Sequence, residues 1–178
     1  YFGNIKAMSI ASLAGTVVIL ALSTFIVKLA SKIGKKELSM IGCFISAASF
    51  ILLFIIHTHN VLVWVGLIIV ATIGTSMFNM VIWAMITDVI DESEVQTGVR
   101  QDGTIYSVYS FARKLGQACS SGLSGVLLSI IGYTSVTAFD PKVVDGIYNI
   151  TCLVPAGGMI LLLLSLWFLY PLNKKRVE

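Results

Sequence analysis

Five apolar runs, each near or above the ~20 residues that a bilayer-spanning helix needs, dictate what this chain can fold into. They lie at about residues 8–30, 38–56, 61–86, 104–131 and 147–170. In hydrocarbon a backbone has no water to bond, so such a run satisfies its N–H and C=O groups internally, as a helix. Of the 178 residues, 57% are hydrophobic and 12% charged, against roughly a quarter charged in soluble domains. The expected fold class is an all-α membrane protein, a helical bundle with membrane lipid as its surroundings. A net charge of +3 does not point to nucleic acid.

The loops separate the two sides of the membrane. After the first run comes "KLASKIGKKE", with Lys28, Lys32, Lys35 and Lys36; after the second comes only "HTHN". The third is followed by "TDVIDESEVQTGVRQDG", acidic but carrying Arg100. The fourth is followed by "GYTSVTAFDPKVVDG", with Lys142, and the last by "NKKRVE". Lys and Arg mark cytoplasmic loops, so the chain is expected to be multi-pass in the cell membrane, starting outside and ending in the cytoplasm. Tyr1 opens the sequence with neither a charged leader nor a cleavage site. An odd number of spans with an outside start reads as an excerpt, with "YFGN" as the outer end of a preceding helix. Many transporters are assembled from repeated halves. Residues 1–178 are then expected to form the C-terminal half-bundle of a twelve-helix transporter: five helices and the end of a sixth.

Several features fit a packed bundle. "GKKELSMIG" reads as a tight turn between the first two spans. Trp64, Trp167 and Tyr170 fall near span ends, where aromatics favour the interface. In "VPAGG", Pro155 removes a backbone donor and Gly157 and Gly158 permit a kink, a packing notch or a hinge. Cys43, Cys119 and Cys152 have no paired spacing and read as small buried hydrophobes. His57 and His59 read as solvated loop residues. With no phosphate loop, triad or metal-ligand cluster in view, neither an enzyme nor a metal or cofactor is expected.

The fourth span carries the most information. Ser107, Ser110, Lys114, Gln117, Ser121 and Ser124 recur at steps of 3, 4, 3, 4 and 3, which puts all six on one helical face. Ala118, Gly122, Gly125 and Ser129 form a second stripe of small residues, of the kind that lets helices approach closely. Lys114 lies ten residues beyond Thr104, roughly 15 Å along the helix axis, about half of a ~30 Å hydrocarbon core. A cation at that depth costs about 2.5–3.5 kcal/mol on insertion scales. It demands a water-filled cavity or a counter-charge, and both readings stay open. Arg113 points 100° away round the helix. No acid occurs centrally in any span, so a central partner for Lys114 would lie outside this chain.

Asp88, Asp91, Glu92, Glu94, Arg100 and Asp102 crowd into fifteen residues of the inner loop after span three. A solvated loop and a set of gate ion pairs are the two readings. Within span three, Asn79 and Trp83 share a face at i, i+4, and Trp83 either stacks on a sugar or is packed.

The stretch "MITDVIDESEVQTGVRQDGTIYSVYSFARKLGQACSSGLSGVLLSIIGY" resembles the glycoside–pentoside–hexuronide:cation symporters, the melibiose-permease-like family of the major facilitator fold. That family's tenth helix ends in D-x-x-D-Y-G-E followed by x-x-x-G-x-R, and Asp88, Asp91, Glu94, Gly98 and Arg100 match it. Its eleventh helix carries a central lysine before small residues, matched by Lys114. Glu92 and Ser93 replace the usual aromatic–glycine pair, and Arg113 stands where an apolar or small residue is common. The resemblance implies symport of a sugar or glycoside with Na+ or H+ by alternating access. It places Lys114 and Ser110, with Tyr109 and Arg113 beside them, near the substrate; Trp83 joins them only on the stacking reading. It makes Asp88, Asp91, Glu94 and Arg100 the cytoplasmic gate. The family's cation-binding acids lie mainly in the N-terminal half, which becomes the partner this chain requires. The competing reading is a non-transporting sensor or scaffold that uses the polar stripe as a hydrogen-bonded seam between helices.

Overall fold

In the computed structural model the backbone is described from residue 5 to residue 172, and side chains from residue 13 to 172 except 14, 18 and 24. The expectations for "YFGN" and "NKKRVE" lie outside the described residues. Five helices follow one another: α1 (Ile5–Ile33), α2 (Lys35–Ile56), α3 (Val61–Thr97), α4 (Asp102–Ile130) and α5 (Pro141–Phe168). They divide between two compact units, one of Tyr1–Met85 with Thr151–Glu178, the other of Ile86–Ile150.

In the first unit a single residue reverses the chain between α1 and α2. Gly34 adopts φ 116° and ψ 147°, a conformation that a side chain strongly disfavours. Its N–H donates to Ala30 O at 3.0 Å and its carbonyl accepts from Leu38 N at 3.1 Å. The tight turn expected at "GKKELSMIG" is therefore present. Below it, Ile26, Leu38, Cys43, Val81, Met85 and Leu166 form a buried cluster drawn from α1, α2, α3 and α5. Ser39 Oγ donates to Lys35 O at 2.8 Å and contacts Met85 Sδ at 3.4 Å, which satisfies a hydroxyl in that apolar setting.

Helices α2 and α3 cross at two glycines. A Cβ added at Gly42 would meet Gly74 O at 2.5 Å, and one added at Gly74 would overlap Gly42 O and lie 2.8 Å from Ser46 N. Small residues let the backbones touch, and the Ser46 and Thr75 hydroxyls hydrogen-bond at 3.0 Å beside the crossing. At Gly157 and Gly158, where the sequence permits a similar approach, nothing among the described residues lies within 4 Å of an added Cβ. Pro155 sits inside α5, which continues through it. Large apolar side chains such as Ile55 and Leu62 point outward, at 69% and 82% exposure. A water-soluble protein avoids this, and a lipid solvent rewards it.

Two expectations change. The acidic "inner loop" is largely helix, because α3 runs to Thr97 rather than ending near residue 86. No glycine or proline lies between residue 86 and Gly98, and Glu and Gln favour the helix. Secondly, length and apolarity qualify α2, α3 and α5 as membrane spans among the described residues, and α1 as a fourth if its halves, Gly15–Ser23 and Phe25–Ile33, which meet at 54°, are one span. Helix α4 has 29 residues, about 44 Å and ample for a crossing, but does not meet that test of apolarity. The serines, Gln117, Arg113 and Lys114 dilute it.

Candidate functional site

The clearest cluster of charge in the second unit is built at the end of α3. Asp91 and Glu94 are three residues apart on a helix and so share a face. Thr97 Oγ1 donates to Ser93 O at 2.7 Å, and Gly98 N donates to Glu94 O at 2.8 Å. Gly98, at φ 71°, then ends the helix in the left-handed conformation that glycine tolerates best. The chain turns and carries Arg100 back to the acidic face.

Arg100 Nη1 donates to Asp91 Oδ1 at 3.0 Å and to Glu94 Oε2 at 2.7 Å, while its Nε donates to Asp102 Oδ2 at 2.9 Å. One planar fork thus serves three carboxylates, which an ammonium could not match in geometry. The bonds to Glu94, Asp102 and Asp91 hold the guanidinium even further above its ordinary range, so it stays charged. All four side chains remain about half exposed, at 45% to 56%. Exposed pairs are individually weak and readily exchanged, so this clamp is suited to opening and closing.

The expected gate set needs one addition, and one member stands apart. Asp102, first residue of α4, belongs to the clamp, linking the end of α3 to the start of α4. Its position two residues from Arg100 was a usable signal, and a carboxylate also suits a helix N-terminus. Asp88 lies one turn before Asp91 but is buried, at 8% exposure, and does not reach the guanidinium. Glu92 instead accepts a hydrogen bond from Gln96 Nε2 at 2.7 Å along its own helix.

The polar face of α4 is helical from end to end, as its spacing requires, and no residue of α4 is buried. Ser110 and Lys114 stand one turn apart on that face, Ser110 partly covered and Lys114 exposed. Tyr109 is partly covered and Arg113 is exposed. Ser107 Oγ and Ser124 Oγ donate to Thr104 O at 2.8 Å and Ser120 O at 2.9 Å, turning back on their own helix. Lys114 makes no hydrogen bond or ion pair with the described residues. Nothing lies within 4 Å of a Cβ added at Gly116, Gly122 or Gly125, so neither glycine of the small stripe makes a close helix contact with the described residues. Trp83 belongs to the first unit, on α3, at 44% exposure. Among the described residues no group of three or more His, Cys, Asp and Glu is arranged to hold a metal ion.

A chain of apolar, outward-greasy helices carrying one polar, cation-bearing helix is a multi-pass membrane protein built like a transporter. The family described as MFS/sugar transport protein matches residues 1–174, and the chain belongs to it. Its curated relatives are named as transporters rather than enzymes. The chain is 33% identical to a glucuronide carrier protein homolog of Escherichia coli (strain K12), over 94% of this chain and 36% of the relative. It is 38% identical to an uncharacterized symporter of Bacillus subtilis (strain 168), over 85% of this chain and 33% of the relative. A putative sulfoquinovose importer of Salmonella typhimurium is 33% identical, over 82% and 30% respectively. The chain thus spans about a third of the length of these relatives.

Proposed function

We propose that the whole protein is a secondary active transporter that carries a sugar or glycoside together with Na+ or H+ by alternating access, and that residues 1–178 supply its C-terminal half. The observation that carries this reading is Lys114: a cation near the middle of a 29-residue helix, on a continuous polar face, in a chain of the sugar-transport family. A lysine there is costly in lipid and is retained where it meets water, substrate or a counter-charge. The relatives' names, a glucuronide carrier and a sulfoquinovose importer among them, fit anionic sugars, for which an ammonium is a natural partner.

In this reading α4 also crosses the membrane, as the fourth of five spans. Its polar face lines the central path, with Ser110 and Lys114 at the substrate and Tyr109, Arg113 and Trp83 as further contacts. The clamp of Arg100 with Asp91, Glu94 and Asp102 belongs to the cytoplasmic gate, and Asp88 supports it from the buried side of α3. The Lys-rich turn at Gly34 then faces the cytoplasm, as does the C-terminus, and the N-terminal end of the chain faces outward. The acids that bind the coupling ion lie mainly in the N-terminal half, and the ion acts by changing the charge balance around Lys114.

Uptake by the full-length protein tests this, measured across neutral and anionic sugars, with and without Na+ and at several pH values. The expected result is accumulation of one class that depends on an ion gradient. In the same assay Lys114→Ala abolishes coupled uptake while membrane insertion is retained. Unchanged uptake would remove Lys114 from the mechanism.

A further inference from the structure

Lys114 is not the most central polar group of α4. Gln117 lies nearer the midpoint of that helix (Asp102–Ile130), one turn further along the same polar face. Its amide offers two N–H donors and a carbonyl acceptor. An amide at that depth is costly unless those groups find partners.

The helix does not supply them. One turn back stand Arg113 and Lys114, at i−4 and i−3, and both are donors only, so neither can meet the amide N–H groups. A hydroxyl in a membrane helix has a common remedy, which is to bond its own turn. Ser49, Ser76 and Ser165 donate to the carbonyls of Ile45, Thr72 and Leu161 at 2.8, 2.7 and 2.8 Å. On the polar face of α4, Ser107 and Ser124 do the same. The two end serines are thus spent on the helix. Between them, Ser110, Lys114, Gln117 and Ser121 make no hydrogen bond with the described residues. This open run covers about 16 Å of helix. Ser110 and Lys114 occupy one turn of it, and Gln117 and Ser121 occupy the next.

We propose that Gln117 is a specificity-determining residue for the carried sugar. Its amide bridges two neighbouring ring hydroxyls, donating N–H to one oxygen and accepting O–H from the other, with Ser121 bonding beside it. This rests on the sugar-carrying function proposed above and extends it. An ammonium is a point charge on a flexible stem and accepts many geometries. A planar amide holds its donor and acceptor a fixed distance apart, so it registers which hydroxyls are present and how they point. A site built to bond a hydroxyl rejects the analogue that lacks it. Lys114 then answers to charge, and Gln117 to the pattern of hydroxyls.

The test pairs changes in the protein with changes in the ligand. Equilibrium binding to the purified full-length protein is measured for methyl glucuronide, methyl glucoside and methyl galactoside, and for the monodeoxy analogues of each. The series is read on a parent that the wild type binds. Removing either of two adjacent hydroxyls should weaken wild-type binding about tenfold. Gln117→Met keeps the length of the side chain and loses its hydrogen bonds. It should bind the parent about tenfold more weakly, and bind those two analogues as well as the parent. Gln117→Ala should show the same levelling, so the result does not depend on one variant. A uniform loss for parent and analogues, with the wild-type pattern intact, means that Gln117 only packs against the rest of the transporter, and overturns the proposal. Unchanged binding overturns it too. If the wild type binds none of the three parents, the sugar-carrying function itself is overturned, and this inference with it.

Discussion

Arg100 and Lys114 are both cations, yet their surroundings differ. Arg100 is held by three carboxylates within hydrogen-bond distance, and those bonds raise its guanidinium still further above its ordinary range. On the gate proposal, the clamp therefore opens by exchange of partners rather than by loss of a proton. Replacing it by lysine keeps the charge but loses the fork. Arg100→Lys and Asp91→Asn should accordingly change the rate of inside-to-outside exchange more than sugar affinity. Counterflow and binding measurements on the same preparations check this, and a pure affinity loss would argue against a gate. Lys114 differs in having none of the described residues for a partner. The proposal that it serves the substrate rests on depth and on its stripe, both legible in the sequence. The clamp was half legible. The acids and Arg100 stood close together in sequence, but Asp102 joined and Asp88 separated only once the left-handed turn at Gly98 was known.

At the level of elements, the helices divide by what their faces meet. The crossing of α2 and α3 is a backbone contact at Gly42 and Gly74, with no room for a methyl group. Gly42→Val forces the helices apart and should destabilise the protein by about 1–3 kcal/mol, the usual cost of overpacking. In residues 1–178 expressed alone, Gly125→Val, at a position where a Cβ meets no described residue, should carry no such overpacking cost. Thermal unfolding of both variants in one detergent makes the comparison. The periodicity of α4 made its small stripe conspicuous and left the Gly42–Gly74 contact unnoticed. Spacing reveals which residues share a face, but only the neighbouring helix decides which face is used. The same limit applied to α3. Its apolar run ends near residue 86, whereas the helix runs on to Thr97, because hydrophobicity and helicity are separate properties of a chain.

For the molecule as a whole, the relevant quantity is how much of the transporter this chain represents. It covers 36%, 33% and 30% of three relatives, and its α4 buries no residue. Both facts fit a half-bundle whose polar helix is completed by the remainder of the protein. Residues 1–178 expressed alone should insert into membranes and fail to accumulate sugar. Co-expression with the upstream portion should restore uptake. Accumulation by the isolated chain would overturn the half-transporter reading.

The sequence by itself determined that this chain is a bundle of membrane helices, because apolar length and the cost of bare backbone groups in lipid leave no other solution. It also determined that α4 has a polar face, since a helix of fixed pitch turns spacing into geometry. The tertiary structure alone decided that Gly42 and Gly74, rather than Gly157 and Gly158, bring helices together. It also decided that Arg100 gathers Asp91, Glu94 and Asp102. Those outcomes depend on distances between residues far apart along the chain or across a turn, and local periodicity carries no information about such distances.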